Sequence, residues 1–413
     1  MQSQFGYIPV ATFMGENQVE HLMGAYLSTL RNWGGQRWGR EQLANAAPLC
    51  FLVVTGGTEE EILTLRAGRA QSAPDEPVFL IAHPGNNSLP ASLEVLARLQ
   101  QDGAPGRIFY LRGPEDSVGF QQLAEALRDL AIRRALRATR LGLLGAPSEW
   151  LVASSPDAAT VRASWGPAVV PVSMDEVTET FQEVGDEELG SWRAQLVQHA
   201  TEVLEPSASE LNDVVRVYVA LRKLVQQYQL DALTLRCFDL VLGQQTTGCF
   251  ALSQLSDEGI IAGCEGDLVS LIGKLWAYLL LEELPWMGNP AQINEAENAL
   301  WLAHCTVPRQ MVESYRLRSH FESGLGVGIQ GELPAGPVTL LRIGGKQLEQ
   351  LWLAEGEITQ TGRAENLCRT QAYIQLTRGA VMDLLRKPLG NHLVLVPGQH
   401  ADRLRQSWRV ILG

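Results

Sequence analysis

The stretch Gly259–Leu280, GIIAGCEGDLVSLIGKLWAYLL, sets two carboxylates, Glu265 and Asp267, between two apolar blocks. Carboxylates in apolar surroundings are costly unless something pairs with them. A metal, a basic side chain or backbone donors at a helix start would each serve. Asp267 stands at the expected start of a helix, where the dipole and free N–H groups favour a carboxylate. Glu265 lies just before that helix, at the end of an apolar strand. Ligands in α/β sheets bind at such strand ends. For both acids a structural role and a chemical one stay open.

His304 in WLAHCTVP and His392 in LGNHLVLVPG have apolar, strand-like surroundings, which suit either a core histidine or a ligand. His320 in SHFESGLGVG borders a glycine-rich turn and could simply bond to its backbone. Arg236, Arg318 and Arg369 are candidate anion contacts, because a guanidinium suits such groups, or members of structural ion pairs. The glycines of GLGVGIQG do not make a GxGxxG fingerprint opening a helix, which removes a dinucleotide reading. No GxSxG, P-loop or HExxH occurs. Six cysteines are scattered without CxxC pairs, which predicts a reducing cytoplasm, no disulfide framework and no zinc knuckle. Cys249, Cys264, Cys305 and Cys368 read as small buried hydrophobes.

These residues need elements to hold them. The runs YIPVATFMG, LCFLVVTGG, PVFLIAHPG and RIFYLRG read as buried strands, each followed by a helical pattern. TEEE at Thr58–Glu61 has capping-box spacing at one helix start. Such alternation predicts a parallel sheet with helices on both faces. RLGLLGAPSEWLVASS opens a second series with AVVPVS as its next strand. Residues 186–229 read as helical, ALTLRCFDLVLG as a buried strand, and DLVSLIGKLWAYLLLEEL as a helix. In the last third PVTLLRIGG, QLWLAEGEIT and AYIQL are short strands with glycine-rich turns, which suits an antiparallel β domain or barrel. The division expected is 1–139, 140–305 and 306–413: an N-terminal Rossmann-like α/β domain, a middle α/β domain carrying the CEGD site, and a C-terminal β-rich domain.

Composition bounds the function. The chain has 413 residues, 46% hydrophobic and 19% charged, with a formal net charge of -13. That balance argues against nonspecific nucleic-acid binding, which needs clustered Lys and Arg. The basic run RDLAIRRALRATR reads as a solvated helix face. No segment is apolar enough to cross a bilayer, and MQSQFGYIPV lacks the pattern of a secretory signal. A cytoplasmic protein is expected, with no nucleic-acid or membrane partner. Trp33 and Trp38 in RNWGGQRWGR read as exposed aromatics of the kind found at interfaces, which predicts a homo-oligomer.

Taken together, GAPSEWLVAS (145–154), LRCFDLVLG with GCFALSQLSDEGIIAGCEGD (235–267), LWLAHCTVP (300–308), SHFESGLGVGIQGELPAGPVTLLRIGG (319–345), NLCRTQ (366–371) and GNHLVLVPGQHADRL (390–404) resemble the L-fucose/L-arabinose isomerase superfamily, most closely its shorter fucose-isomerase-like members. The resemblance implies two Rossmann-like α/β domains with parallel sheets and a C-terminal β-rich, barrel-like domain. It implies interconversion of an aldose and a ketose, with a divalent cation, usually Mn²⁺, acting as a Lewis acid and a carboxylate as general base. By position, Glu265 matches the first acidic ligand and catalytic carboxylate. His392 matches the C-terminal histidine ligand, and His304 the additional histidine of the arabinose-isomerase branch. Asn289 falls where the second acidic ligand and catalytic residue is expected. An amide there offers an oxygen but takes no proton, and the usual double histidine is reduced to Asn391 and His392. Trp150, His304, His320, Arg369 and Asn391 are the implied substrate contacts. The implied partner is a small sugar, and the implied assembly a trimer or hexamer. The alternatives are an isomerase of a sulfonated or phosphorylated sugar and a non-catalytic sugar-binding relative.

Overall fold

A computed structural model describes residues 4–412. The chain divides into two compact units, one running to Ala135 and closed by residues from Gln406 on, the other Leu136–Arg405.

The first unit is built on five parallel strands, β1 (Phe5–Val10), β2 (Gly35–Arg37), β3 (Leu49–Val53), β4 (Val78–Ala82) and β5 (Gly106–Tyr110), in the order β2-β1-β3-β4-β5. Side chains alternate across a pleated strand. Cys50, Leu52, Phe79 and Ile81 accordingly enter one core, while Leu49, Phe51, Val53, Val78 and Leu80 enter the other. Both faces are therefore covered by helices, as parallel sheets require.

Several local expectations change here. β2 lies in GGQRWGR, which carries no apolar run. Trp38 is buried, 5% exposed, and packs over Gly6, where a Cβ would meet its ring at 2.1 Å. The helix Glu59–Ala70 starts as expected, but the Thr58 hydroxyl donates to Thr55 O (2.9 Å) and makes no cap. The basic run is not a solvated face. Arg133 is buried, and Arg134 pairs with Glu76 at 3.1 Å.

The second unit joins three sheets. Strands β6 (Arg140–Leu144), β7 (Ala168–Val172), β9 (Ala232–Leu235) and β10 (Ile261–Cys264) form a parallel sheet ordered β10-β9-β6-β7. The short β8 (Glu202–Val203) sits inside the stretch read as wholly helical. It pairs with β13 (Ser314–Arg318), which also pairs with β14 (Gly328–Glu332). Six antiparallel strands close a barrel: β11 (Trp286–Asn294), β12 (Ala299–His304), β15 (Gly336–Gly344), β16 (Gln350–Thr361), β17 (Thr370–Arg378) and β18 (Leu393–Pro397). Parallel α/β layers followed by an antiparallel barrel is the fold class the sequence predicts.

The run ALTLRCFDLVLG is not one strand. β9 ends at Leu235, and Cys237–Gln244 is a helix. The helix Leu268–Leu281 packs on β15 and β18 of the barrel and on β9 and β10 of the parallel sheet. Its nearly continuous apolar sequence reflects that double burial. The one charged side chain fully inside it, Lys274, donates from Nζ to Ala262 O.

Candidate active site

The turn between β10 and the helix Leu268–Leu281 carries the acids. Glu265 has φ +63, a conformation costly for a residue with a Cβ and found at functional sites. Gly266 follows at φ +70, where a Cβ would lie 2.7 Å from Ala146 O and Pro147 Cα. Backbone bonds lock the turn: Gly266 N to Leu235 O at 3.1 Å, and Ser148 N to Glu265 O at 2.9 Å. Glycine is needed at 266 for both reasons, positive φ and close approach.

Asp267 is the helix N-cap, its Oδ1 accepting from Ser270 N at 2.8 Å. The structural reading of this acid therefore holds, and a second role adds to it. Oδ2 accepts from His392 Nδ1 at 2.9 Å, from Ser270 Oγ at 2.7 Å and from Arg342 Nη1 at 3.3 Å. A carboxylate only accepts, so Nδ1 carries its hydrogen and Nε2 is the ring atom left to turn toward Glu265. His392 Nε2 lies 3.5 Å from Glu265 Oε1. That approach is too long and misaligned to satisfy it, and Nε2 is a buried nitrogen without a hydrogen-bond partner.

His304 ends β12, its ring centroid 5.6 Å from that of His392. Its Nδ1 bonds to Thr306 Oγ1 at 2.9 Å, which leaves Nε2 as the nitrogen available to a ligand. One ligand atom each of Glu265, His304 and His392 falls within a 4.8 Å group, the one such set of three among the described residues. All three side chains are buried. Asn289, on β11 opposite Ala303 of β12, lines the same cavity beside them.

The electrostatics are coherent. Burial would raise the Glu265 carboxyl, but His392, His304 and the Trp150 indole outweigh it and hold it below the ordinary range. Trp150 Nε1 donates to Glu265 Oε2 at 2.6 Å. Burial, helped by the nearby His392 and Lys274, lowers His304 to about 4, a neutral ring at physiological pH. Burial would also lower His392, yet the Asp267 and Glu265 carboxylates raise it to about 9. The Nε2 position thus attracts positive charge, whether a proton or a metal ion.

These residues head a cavity of about 450 Å³, within the range of small-ligand sites. Trp150, His304, His320 and Asn391 line it, with Phe238, Phe321 and Glu322. Arg369 does not line it. Its Nε donates to Ser319 O at 2.8 Å and its Nη1 pairs with Glu365 at 3.0 Å, beside His320 rather than in the cavity. The other two guanidiniums are also spoken for: Arg236 by Glu149 and Asp239, Arg318 by Glu205 and Glu365.

Arg342, buried beneath Asp267, and Glu322, on the cavity wall, were not singled out from the sequence. Arg342 carried one usable signal, a lone arginine in the apolar run VTLLRIGG. The Asp267–His392 contact had none, since its members lie 125 positions apart.

No protein-family model matches the chain. It is similar to proteins named sulfoquinovose isomerase. It is 21% identical over 312 residues to that of Alkalicoccus urumqiensis, covering 73% of this chain and 70% of that one. It is 22% identical over 324 residues to that of Clostridium sp. (strain MSTE9), covering 78% and 68%. With the Priestia megaterium protein it shares 20% over 246 residues, and this match spans 57% of the chain and about half, 54%, of the relative. The chain is thus related to isomerase enzymes, in agreement with the class of reaction expected. Among the described residues no helix is long and apolar enough to cross a membrane.

Proposed function

We propose that the protein is an aldose–ketose isomerase of the L-fucose/L-arabinose isomerase type. One observation carries the reading: Glu265, His304 and His392 converge, buried, at the head of a sugar-sized cavity, with His392 Nε2 unpartnered and aimed at Glu265.

The residues fit a divalent cation. Two imidazoles and a carboxylate suit Mn²⁺ or Zn²⁺, and the Asp267 bond fixes the His392 tautomer in the way metal-bound histidines are oriented. Glu265, His304 and His392 would hold the ion, with the Asn289 amide oxygen beside them. When bound, the cation supplies Lewis-acid stabilisation of negative charge on the sugar oxygens.

The chain's own part is proton movement. Glu265 is the buried carboxylate of the cavity, oriented by Trp150 through Oε2, and it takes the C2 proton of an aldose. Return of this proton to C1, with the O2 proton passed to O1, gives the ketose. Asn289 cannot share that work, since an amide does not take a proton. Trp150, His320 and Asn391 line the space the sugar occupies. The convergence of the Glu265 carboxylate with the His304 and His392 rings argues against a silent sugar-binding relative, although Asn289 replaces the expected second acid. Residence in the cytoplasm belongs to this reading through the cysteine pattern, and assembly into a homo-oligomer through Trp33 and the resemblance.

The relatives' name brings sulfoquinovose, a sulfonated aldose, into consideration. A buried sulfonate needs a paired cation or hydrogen-bond donors. Among the described residues lining the cavity none is Lys or Arg, and Glu265 and Glu322 add negative charge. The lining holds no cation for a sulfonate, but Asn289, Asn391 and His320 offer hydrogen-bond donors, so a sulfonated aldose is the second reading beside an uncharged one. The test is a sugar panel of L-fucose, L-arabinose, D-glucose and sulfoquinovose, with chelator-treated protein before and after Mn²⁺ is added. Ketose formed from an uncharged aldose, only with the cation present, supports the reading. Turnover of sulfoquinovose alone selects the second reading, and no ketose from any sugar overturns the isomerase.

A further inference from the structure

Five of the six cysteines come together. Cys237, Cys249, Cys264, Cys305 and Cys368 all line the cavity headed by Glu265. They derive from five separate places along the chain, which is why no CxxC spacing announces them. The sixth, Cys50, is a core residue of the first unit whose thiol bonds to Gly6 O. Within the cavity the thiols are not equivalent. Cys305 is in hydrogen-bond reach of both Cys249 and Cys368. Cys237 and Cys264 stand apart as a pair, Sγ to Sγ 2.8 Å.

The pair sits on neighbouring backbone. Cys264 ends β10 opposite Leu235, the last residue of β9, and Cys237 opens the helix two residues later. With the sulfurs 2.8 Å apart, the bonded S–S distance of about 2.0 Å is reached by a shift of under about 1 Å. Both residues line the cavity, which brings a small solute that enters it next to them. Cys264 is also the residue before Glu265, in a turn held at φ +63.

We propose that Cys237 and Cys264 are a reversible dithiol that closes to a disulfide under hydrogen peroxide and thereby weakens cation binding at Glu265, His304 and His392. In the first step one sulfur, losing its proton, attacks a peroxide oxygen. The O–O bond breaks, one water leaves, and a sulfenic acid remains. The second sulfur then displaces that hydroxyl, the S–S bond forms, and a second water leaves. Two S–H bonds and the O–O bond are lost, two electrons pass from sulfur to peroxide, and a thiol reductant reverses the change. Turning the Cys264 side chain toward Cys237 is felt at the next residue, and a metal site tolerates only about 0.5 Å of misplacement. The second half of the proposal rests on the cation reading above; the first half does not.

The experiment treats the purified chain with hydrogen peroxide, maps the peptides by mass spectrometry, and titrates Mn²⁺ by calorimetry before and after dithiothreitol. The expected results are a Cys237–Cys264 cross-link and an Mn²⁺ affinity lower by about tenfold or more, restored by reduction. Cys237→Ala, whatever its starting affinity, should keep that affinity through peroxide treatment. A cross-link confined to Cys249, Cys305 or Cys368 overturns the proposal. So does a Cys237–Cys264 bond that leaves Mn²⁺ affinity unchanged, or an equal loss in Cys237→Ala. These readouts need no sugar, so failure of the isomerase reading would be seen separately.

Discussion

Asp267 Oδ2 accepts a hydrogen bond from His392 Nδ1 at 2.9 Å, and both side chains are wholly buried. The contact ties the N-cap of a core helix to the residue just before β18, and turns His392 Nε2 toward Glu265. Asp267→Asn keeps a capping oxygen but loses the charge that orients the ring and balances Arg342. Affinity for Mn²⁺ should fall about 10–100-fold by calorimetry. Stability should drop by about 3–5 kcal/mol in urea unfolding, because a buried guanidinium loses its counter-ion.

Gly390 has φ +146, and a Cβ there would lie 2.2 Å from Arg342 Nη2. Gly390→Ala should lower the melting temperature through both strain and displacement of Arg342. Gly324 is the control. It has φ +69 but open space around its Cβ, so Gly324→Ala carries only the conformational cost of about 1 kcal/mol. Equal shifts in the two variants would show that the Arg342 contact does not matter.

Burial lowers Lys274 to about 7, against an unfolded value of about 10.4. Between those two values the unfolded chain holds the proton and the folded chain does not, so stability rises with pH across that window. The penalty is fully present below pH 7. Lys274→Met should therefore stabilise the protein at pH 6, on the order of a few kcal/mol, less the lost bond to Ala262 O. The gain should shrink toward pH 10. Urea midpoints at the two pH values measure it, and a gain independent of pH would refute the assignment.

The Trp150 indole is one of the groups holding the Glu265 carboxyl low. Trp150→Phe keeps an aromatic ring against Phe238 but removes the donor at Oε2. The Glu265 pKa should rise. A base must be ionised to act, so the acid limb of the kcat/KM profile should move to higher pH. An unmoved limb would separate Glu265 from the titrating base.

Much of the framework was legible because it is local. The strands β1, β3, β4 and β5 are apolar runs closed by glycine or proline, and the loss of alternation after residue 310 foretold the barrel. Cys237–Gln244 misled because FDLVLG is as apolar as a buried strand, and a short apolar run does not reveal its period. Trp38 sits among polar neighbours and reads as exposed, yet the gap over Gly6 takes its ring. At the site, Glu265, His304 and His392 were visible as polar residues in apolar settings, and Asn289 only through the resemblance. What joins them was not, since Arg342, Asp267 and His392 meet only through the packing of helix on barrel. The convergence of five cysteines is likewise a product of tertiary folding.

The claim at the centre is that the Glu265 carboxylate moves the C2 proton of an aldose. Incubation in D₂O tests it most directly, with Mn²⁺-loaded protein and the aldose that turns over, followed by mass spectrometry of both sugars. The account predicts deuterium at C2 of recovered aldose and C1 of the ketose. In Glu265→Gln both should fall by about 10²–10⁴ in rate, while the variant keeps its fold by circular dichroism. Ketose formed without deuterium, or exchange at full rate in Glu265→Gln, would contradict it.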